Sequence, residues 1–378
     1  MRLLSLFSGI GAFEKALDNI GIEYELANYC EINPYASKAY SLIHRVSEDK
    51  NLGDITKVDT SKLKNIDMVT YGFPCQDISL SGHMKGFEYE GEQTRSGLFF
   101  EALRIIEDTK PAYAICENVK NLVSKRFKNE FEIVLSSLEE AGYNNYWKVL
   151  NSKDYGIPQN RERIFIVSIR KDIDDGKFEF PEPKTLSLRL RDLLENEVDE
   201  KYFMSDTMIN YICSTGTKNF SYRPEIDLEV ARPLTATMHK YHRASTDNYV
   251  SELFVQHGIK VDIEDGKPIF NQDSIVVREN NKRGFIEAYE GDSINFEQPN
   301  SKTRRRRVGR GVVINESDNL RIRKLTPKEC FRLMGFDDED VEILIENKIS
   351  NTQLYKMAGN SIVVDVLESI FEKLSGEV

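Results

Sequence analysis

Near its start the chain runs from an apolar stretch, Leu3–Phe7, through Phe7-Ser8-Gly9-Ile10-Gly11 and into Ala12–Ile20, which has helical spacing and stops at Gly21. A strand joined to a helix by a glycine turn limits the folds open to the chain. It suits a crossover unit, in which the next strand returns parallel to the first with the helix packed over the sheet. The rhythm continues: Tyr24–Cys30 reads as a strand and Pro34–Ile43 as a helix with proline near its start. Asp67–Tyr71, Ala112–Cys116, Trp147–Leu150 and Ile164–Ile169 read as further short strands, and Gly97–Glu107 and Asn129–Leu138 as helices. The expected class is α/β, with a parallel sheet covered by helices on both faces.

The rhythm breaks after Arg170. Lys171–Pro183 is charged and holds two prolines, and the sequence is then irregular to about Asn319. A second, smaller domain is expected there: residues 1–184, completed by 357–378, would form one domain and 185–356 the other. Leu325–Met334 is a predicted helix capped by Thr326 with Pro327 at its first position, and Ser361–Leu374 is the last helix.

Hydrophobic residues make up 40% of the 378 and charged residues 30%, as in globular proteins. Five cysteines leave an odd thiol and show no metal-ligand spacing, which points to a reducing cytoplasm and no metal. Leu3–Phe13 after Arg2 has the length of a signal-peptide core, but Gly9 and Gly11 interrupt it and no cleavage site comes after it, so it reads as a first strand and turn. No other run is long enough to cross a membrane.

The formal net charge of −11 excludes a general polyanion binder, since non-specific nucleic-acid affinity is mostly electrostatic. A nucleic-acid partner would require local basic clusters. Two occur. Arg232, His239, Lys240, His242 and Arg243 are interleaved with Thr235, Thr237 and Tyr241, a mix suited to phosphates and base edges. Lys302, Arg304, Arg305, Arg306, Arg307 and Arg310 form the second, suited to phosphates.

The glycine turn is not that of a dinucleotide site. The position of the third glycine holds Glu14, whose carboxylate would repel a pyrophosphate. A ligand with an adenosine and no phosphate suits it better. Glu31 ends the second strand about twenty residues on, where an acid binds ribose hydroxyls. Asp54, in Gly53-Asp54-Ile55, is placed to accept from an adenine amine.

Two further groups sit at the carboxyl ends of strands, where ligands collect in open parallel sheets, and a third precedes a strand. Cys75, in Gly72-Phe73-Pro74-Cys75-Gln76, is positioned as a nucleophile. Glu117-Asn118-Val119 brings a carboxyl to the same rim. Gln159-Asn160-Arg161-Glu162-Arg163 leads into a strand, and alternation puts Arg161 and Arg163 on one face. Ser79–Gly97, with Gly82, Gly86, Gly91 and Gly97 as hinges, suits a lid.

In this order and at this spacing, Phe-x-Gly-x-Gly, Pro-Cys-Gln, Glu-Asn-Val, Gln-x-Arg-x-Arg and a late Gly-Asn-Ser resemble the DNA cytosine-5 methyltransferases of bacterial or phage type. The resemblance spans nearly the whole chain and weakens over about residues 185–315. It implies a Rossmann-like S-adenosylmethionine-dependent sheet with an irregular target-recognition domain. S-adenosylmethionine would be the cofactor and a cytosine flipped from double-stranded DNA the substrate. Phe7, Gly9 and Gly11 would line the cofactor site, Glu31 would hold the ribose, Asp54 and Ile55 the adenine with Ile32 beside it, and Leu98 and Asn360 would close it. Cys75 would be the nucleophile, Glu117 would contact ring nitrogen 3 and the exocyclic amine, and Arg163 would reach the base oxygen with Arg161 supporting the loop. Gln76, Ser79, Ser81, Arg95, Thr235, Thr237, Lys240, Arg243 and Arg304–Arg307 would meet DNA. The resemblance is compatible with a monomer and with a separately acting restriction endonuclease.

Two positions depart from the family pattern: Ala12 stands where glycine is common, and Ile32 where an aromatic residue follows the acid. A transfer-RNA branch of the family is the nearest rival, but its Cys-Phe-Thr tripeptide is missing here. A regulator on an inactive scaffold would have lost a catalytic residue, and Cys75, Glu117, Arg161 and Arg163 all stand.

Overall fold

The computed structural model describes residues 1–74, 88–89, 92–93, 95–217, 220–221, 223–264, 267–269, 275–278, 285–288 and 321–376. The strands that organise it are β1 (Arg2–Leu6), β2 (Glu25–Cys30), β3 (Met68–Tyr71), β4 (Tyr113–Val119), β5 (Tyr143–Asn151), β6 (Glu162–Arg170), β7 (Tyr249–Ser251) and β8 (Ile322–Lys324). The helices are α1 (Ala12–Asn19), α2 (Pro34–His44), α3 (Phe99–Thr109), α4 (Lys128–Glu140), α5 (Asp206–Ile212), α6 (Glu252–His257), α7 (Pro327–Arg332), α8 (Asp338–Glu346), α9 (Asn351–Asn360) and α10 (Val364–Ser375).

The first six strands form one sheet in the order β2-β1-β3-β4-β6-β5. A strand buried on both faces needs a near-continuous apolar run, and β1 supplies it around a single serine: Leu3, Leu4 and Ser5 are 0% exposed and Leu6 is 1%. The stretch that resembled a signal-peptide core therefore supplies an inner strand of the sheet, the glycine turn and the start of α1. Leu4, Leu6, Val69, Tyr71, Ala114, Cys116, Ile164 and Ile166 face a core completed by Phe99, Ile105 and Ile106 of α3 and Phe131, Val134 and Leu138 of α4. The alternate residues, Leu3, Met68, Ile115, Phe165 and Val167, are buried as well, so both faces are covered. At α2, Asn33 caps the first turn: its Oδ1 accepts the N–H groups of Tyr35 (2.9 Å) and Ala36 (3.3 Å), with Pro34 where no donor is needed.

The sheet departs from the expected all-parallel form at one strand. β2, β1, β3 and β4 are parallel, but β6 runs antiparallel to both β4 and β5. Residues 152–161, which join β5 to β6, hold only the single turn Ser152–Tyr155 and a reversal at Gly156 (φ 107°). A parallel return needs a crossover of about a dozen residues or more, so the chain turns back instead. The start of β6 thus lands at the edge where β1 to β4 end, with Arg163 opposite Val119 and Phe165 opposite Glu117.

Two compact units result. The first holds Met1–Leu188, Pro233–His239 and Cys330–Val378, and the second Arg189–Arg232 and Lys240–Glu329. The boundary differs from the expected 185–356 block, because Pro233–His239 and the α8–α9 segment belong to the first unit. The reason lies in specific bonds. The Leu234 N–H donates to Gln159 Oε1 (2.9 Å), Gln159 Nε2 donates to the Leu333 carbonyl (2.8 Å), and Lys15 pairs with Asp337 (2.6 Å) and Asp340 (2.8 Å).

In the second unit β7 pairs antiparallel with β8 beside a core of Ile209, Ile212, Cys213, Ile226, Tyr249, Val261 and Ile322. α7 begins at the expected cap. Thr326 Oγ1 accepts the Glu329 N–H (3.2 Å) while Glu329 accepts the Thr326 N–H (2.7 Å), a reciprocal capping box. Glu329 also holds Arg323 through two bonds of 2.7 and 2.8 Å with both side chains buried, which explains how this unit keeps an arginine in its interior.

Candidate active site at the carboxyl edge of the sheet

In the first unit a cleft of about 420 Å³ opens where β1, β2, β3 and β4 end. Of the residues expected around a cofactor, Phe7, Gly9, Glu31, Ile32, Asp54, Ile55, Leu98 and Asn360 line it, and so do Glu117, Arg161 and Arg163.

The glycine turn is built by left-handed backbone at Phe7 (φ 53°), Gly9 (φ 56°) and Gly11 (φ 82°). A side chain added at Gly9 would meet nothing within 4 Å, so its open side belongs to the cleft. Gly11 plays another part and does not line the cleft. A Cβ there would lie 2.1 Å from His44 Nε2, and that nitrogen donates to the Ile10 carbonyl at 3.0 Å. Glu14 does not face the cleft either. It is 1% exposed on the inner side of α1, and its negative charge adds to burial in raising the Tyr40 hydroxyl. Contrary to expectation, then, its carboxylate is not placed to repel a pyrophosphate. What does disfavour a phosphate is that the Gly9 N–H already donates to Glu31.

Glu31 accepts that N–H on Oε2 (2.9 Å) and the Asn33 N–H on Oε1 (2.7 Å). Burial pushes its carboxyl up, against the pull of these backbone donors. A carboxylate has about four lone-pair sites, so acceptor capacity is left for hydroxyls. Asp54 caps the turn Ile55–Lys57, with Oδ1 accepting from Thr56 N (3.1 Å) and Oγ1 (2.9 Å), and the Thr56 hydroxyl holds its carboxyl below the usual range. Ile32 is 73% exposed at the rim.

At the other end of the cleft stands Glu117, its side chain 12% exposed and its Oε1 2.9 Å from Arg163 Nε. Burial raises the Glu117 carboxyl, while Arg163 and then Arg161 oppose it. Arg163 also donates to the Glu162 carbonyl (2.8 Å). The two arginines line the same cleft but hold different partners. Arg161 precedes β6, is 4% exposed, and donates to the carbonyls of Leu234 (2.8 Å), Gly359 (3.2 Å) and Ser361 (2.8 Å). It clasps backbone; Arg163 clasps the carboxyl.

Several working residues escaped sequence reasoning. Asn118, 2% exposed, donates to the Phe73 carbonyl (3.1 Å) and accepts the Val119 N–H (2.8 Å), fixing the chain just before Pro74, which lines the cleft. Gly359 gives the 233–239 segment room. A Cβ there would come within 2.2 Å of the Thr235 backbone carbon. Gln353, Lys356 and Met357 of α9 also line the cleft.

Cys75, Gln76, Ser79, Ser81 and Arg304–Arg307 lie outside the described residues, as does most of the expected lid. Arg95 opens the turn Arg95–Leu98 ahead of α3, but its side chain is also outside them. Of the remaining expected DNA contacts, Thr235 and Thr237 belong to the first unit, with their hydroxyl oxygens 3.3 Å apart. Lys240 and Arg243 belong to the second. Lys240 is exposed, and Arg243 bonds the Ser214 hydroxyl with its guanidinium 5.5 Å from the Tyr211 ring centre.

A glycine turn with no phosphate cradle, sharing one cleft with a buried carboxyl at the next strand ends, puts the protein among the Rossmann-like methyltransferases. The family model for C-5 cytosine-specific DNA methylases matches residues 1–376, and the chain belongs to that family. It is thus a cytosine-5 DNA methyltransferase with S-adenosylmethionine as methyl donor. It is 34% identical to the orphan methyltransferase M.SPRI of Bacillus phage SPR, over 99% of this chain and 97% of that one. It is 37% identical to the type II methyltransferase M2.ScrFI of Lactococcus lactis subsp. cremoris, over 86% and 71%. The solved structure of Dnmt2 methyltransferase from S. pombe shares the fold, with a TM-score of 0.63 at 20% identity over 99% of this chain and 97% of that one. Among the described residues no helix is long and apolar enough to cross a membrane.

Proposed function

We propose that the reaction runs through Cys75 on a cytosine flipped out of a specific duplex sequence, with Glu117 and Arg163 on the base. Phe7, Gly9, Glu31, Ile32, Asp54, Ile55, Leu98 and Asn360 surround the donor, and Gly11 shapes the turn. The observation that carries this reading is the Glu117–Arg163 pair in one cleft with Gly9 and Glu31. The cleft suits the donor: Gly9 is open, Glu31 keeps acceptor capacity, and Phe7, Ile55 and Leu98 offer apolar surface.

Carbon 5 of cytosine is a weak nucleophile because the ring is aromatic. A thiolate at Cys75 that adds to carbon 6 breaks the aromaticity and makes carbon 5 enamine-like; only the ionised sulfur attacks. Negative charge then builds on the ring. Protonated Glu117 neutralises it at nitrogen 3, a role that needs a carboxyl pKa raised by burial. Arg163 stabilises the same charge at the base oxygen. The bound donor supplies an electrophilic methyl group. Arg161 and Asn118 keep the two ends of the cleft in register through their backbone bonds. Loss of the carbon 5 proton and expulsion of the Cys75 sulfur complete the cycle. Extruding the base costs about a few kcal/mol.

Double-stranded DNA is the substrate in this reading. The stretch Thr235–Arg243 takes part in choosing the sequence, Gln76, Ser79, Ser81 and Arg95 contact the strand around the flipped base, and Arg304–Arg307 contact phosphates. The enzyme works as a cytoplasmic monomer, in or derived from a restriction-modification system whose endonuclease, where present, acts separately. Bisulfite sequencing of DNA from cells expressing the protein is expected to show 5-methylcytosine in one short sequence context. Methyl transfer to transfer RNA but not to duplex DNA, in an assay with labelled donor, would overturn the substrate assignment.

A further inference from the structure

Three basic side chains line the described cleft: Arg161, Arg163 and Lys356. Two are committed. Arg161 holds three backbone carbonyls, and Arg163 holds Glu117 and the Glu162 carbonyl. Lys356 is half-buried and has no hydrogen bond or ion pair with any described residue. It sits on a defined surface. Gln353, Lys356, Met357 and Asn360 of α9 all line the cleft, and spacings of three and four put them on one helix face. That face is held in place where Arg161 bonds the Gly359 carbonyl and Gly359 lies against Thr235.

The ligand's chemistry is uneven in a matching way. S-adenosylmethionine carries hydroxyls and an amine at its nucleoside end and a permanent carboxylate at its amino-acid end. Glu31 and Asp54 suit the first and repel the second. The Gly9 N–H, an anion donor in other glycine turns, is already donated to Glu31. We propose that Lys356 binds the carboxylate of the donor's methionine portion, so that the cleft selects amino-acid-bearing adenosyl ligands over adenosyl thioethers without that group. This rests on the reading of the cleft as the donor site. A charge-assisted bond in a half-buried setting is among the stronger polar contacts a cleft offers.

Calorimetric titration of the full chain with S-adenosylhomocysteine and with 5′-methylthioadenosine, which lacks the amino-acid end, tests it. The unsubstituted protein is expected to bind the homocysteine ligand the more tightly. Lys356→Gln is expected to weaken that ligand about tenfold or more and leave methylthioadenosine unchanged, with Lys356→Arg recovering most of the loss. Equal weakening of both ligands would mean a merely structural role and overturn the proposal. So would unchanged binding of S-adenosylhomocysteine with weaker, less salt-dependent DNA binding, which would assign Lys356 to a phosphate. Failure of the unsubstituted protein to bind S-adenosylhomocysteine at all would sink the reading of the cleft, and the proposal with it.

Discussion

Glu117→Gln is expected to lower kcat on DNA by about a thousandfold at neutral pH while changing donor affinity only a few fold. The amide keeps the size of the side chain and one hydrogen bond to the base, but it has no acidic proton to give. The pH profile makes the test sharper. Burial raises the Glu117 carboxyl above its ordinary value, and Arg163, 2.9 Å away, pulls the other way. In the proposed mechanism the protonated form neutralises the ring, so activity is expected to fall as pH rises through the carboxyl's pKa. That alkaline limb should vanish in the glutamine variant. Steady-state rates across pH check both points. A variant within tenfold of the unsubstituted enzyme, or one that keeps the limb, would remove Glu117 from the chemistry.

Gly359→Ala is expected to have a large effect for a single added methyl group. The added carbon would lie 2.2 Å from the Thr235 carbonyl carbon and 2.4 Å from Ala236 N, and backbone on both sides leaves no flexible side chain to yield. Overpacking of this kind costs about 1–3 kcal/mol or more. The strain falls on a junction that the Arg161 clasp also serves, through the carbonyls of Leu234, Gly359 and Ser361. Thermal unfolding should show the first unit melting lower by about 5 °C. Donor affinity should fall too, because Asn360 and Lys356 share the displaced helix. An alanine variant with unchanged melting and unchanged donor affinity would contradict the close approach.

The parts of this molecule that are legible in the sequence are those set by local pattern. β1, α1, β2 and α2 fall within about a residue of their expected ends, because an apolar run, a glycine turn and an Asn-Pro cap are local signals. The direction of β6 is not legible from the apolar run Ile164–Ile169 itself. It depends on the shortness of residues 152–161, a signal that is present in the sequence and sufficient. The place of Glu14 in a motif says nothing about which side of α1 it faces; Tyr40, far along the chain, is what it meets. The domain boundary is hidden for the same reason. Nothing local to Pro233–His239 reveals that Gln159, Arg161 and Gly359 hold it in the first unit. Arg161 and Arg163 look equivalent in a Gln-x-Arg-x-Arg string, and only distant carbonyls separate the clasp from the partner of Glu117.

The proposed mechanism depends most on the sulfur at position 75. Duplex DNA carrying 5-fluorocytosine at the methylated site, incubated with the enzyme and S-adenosylmethionine, cannot lose a proton from carbon 5 and should trap the adduct. Mass spectrometry of the digested complex is expected to find one peptide, containing Cys75, bonded to the base, and no adduct with Cys75→Ser. Methylation of ordinary cytosine by the serine variant at an undiminished rate, or an adduct at another residue, would contradict it.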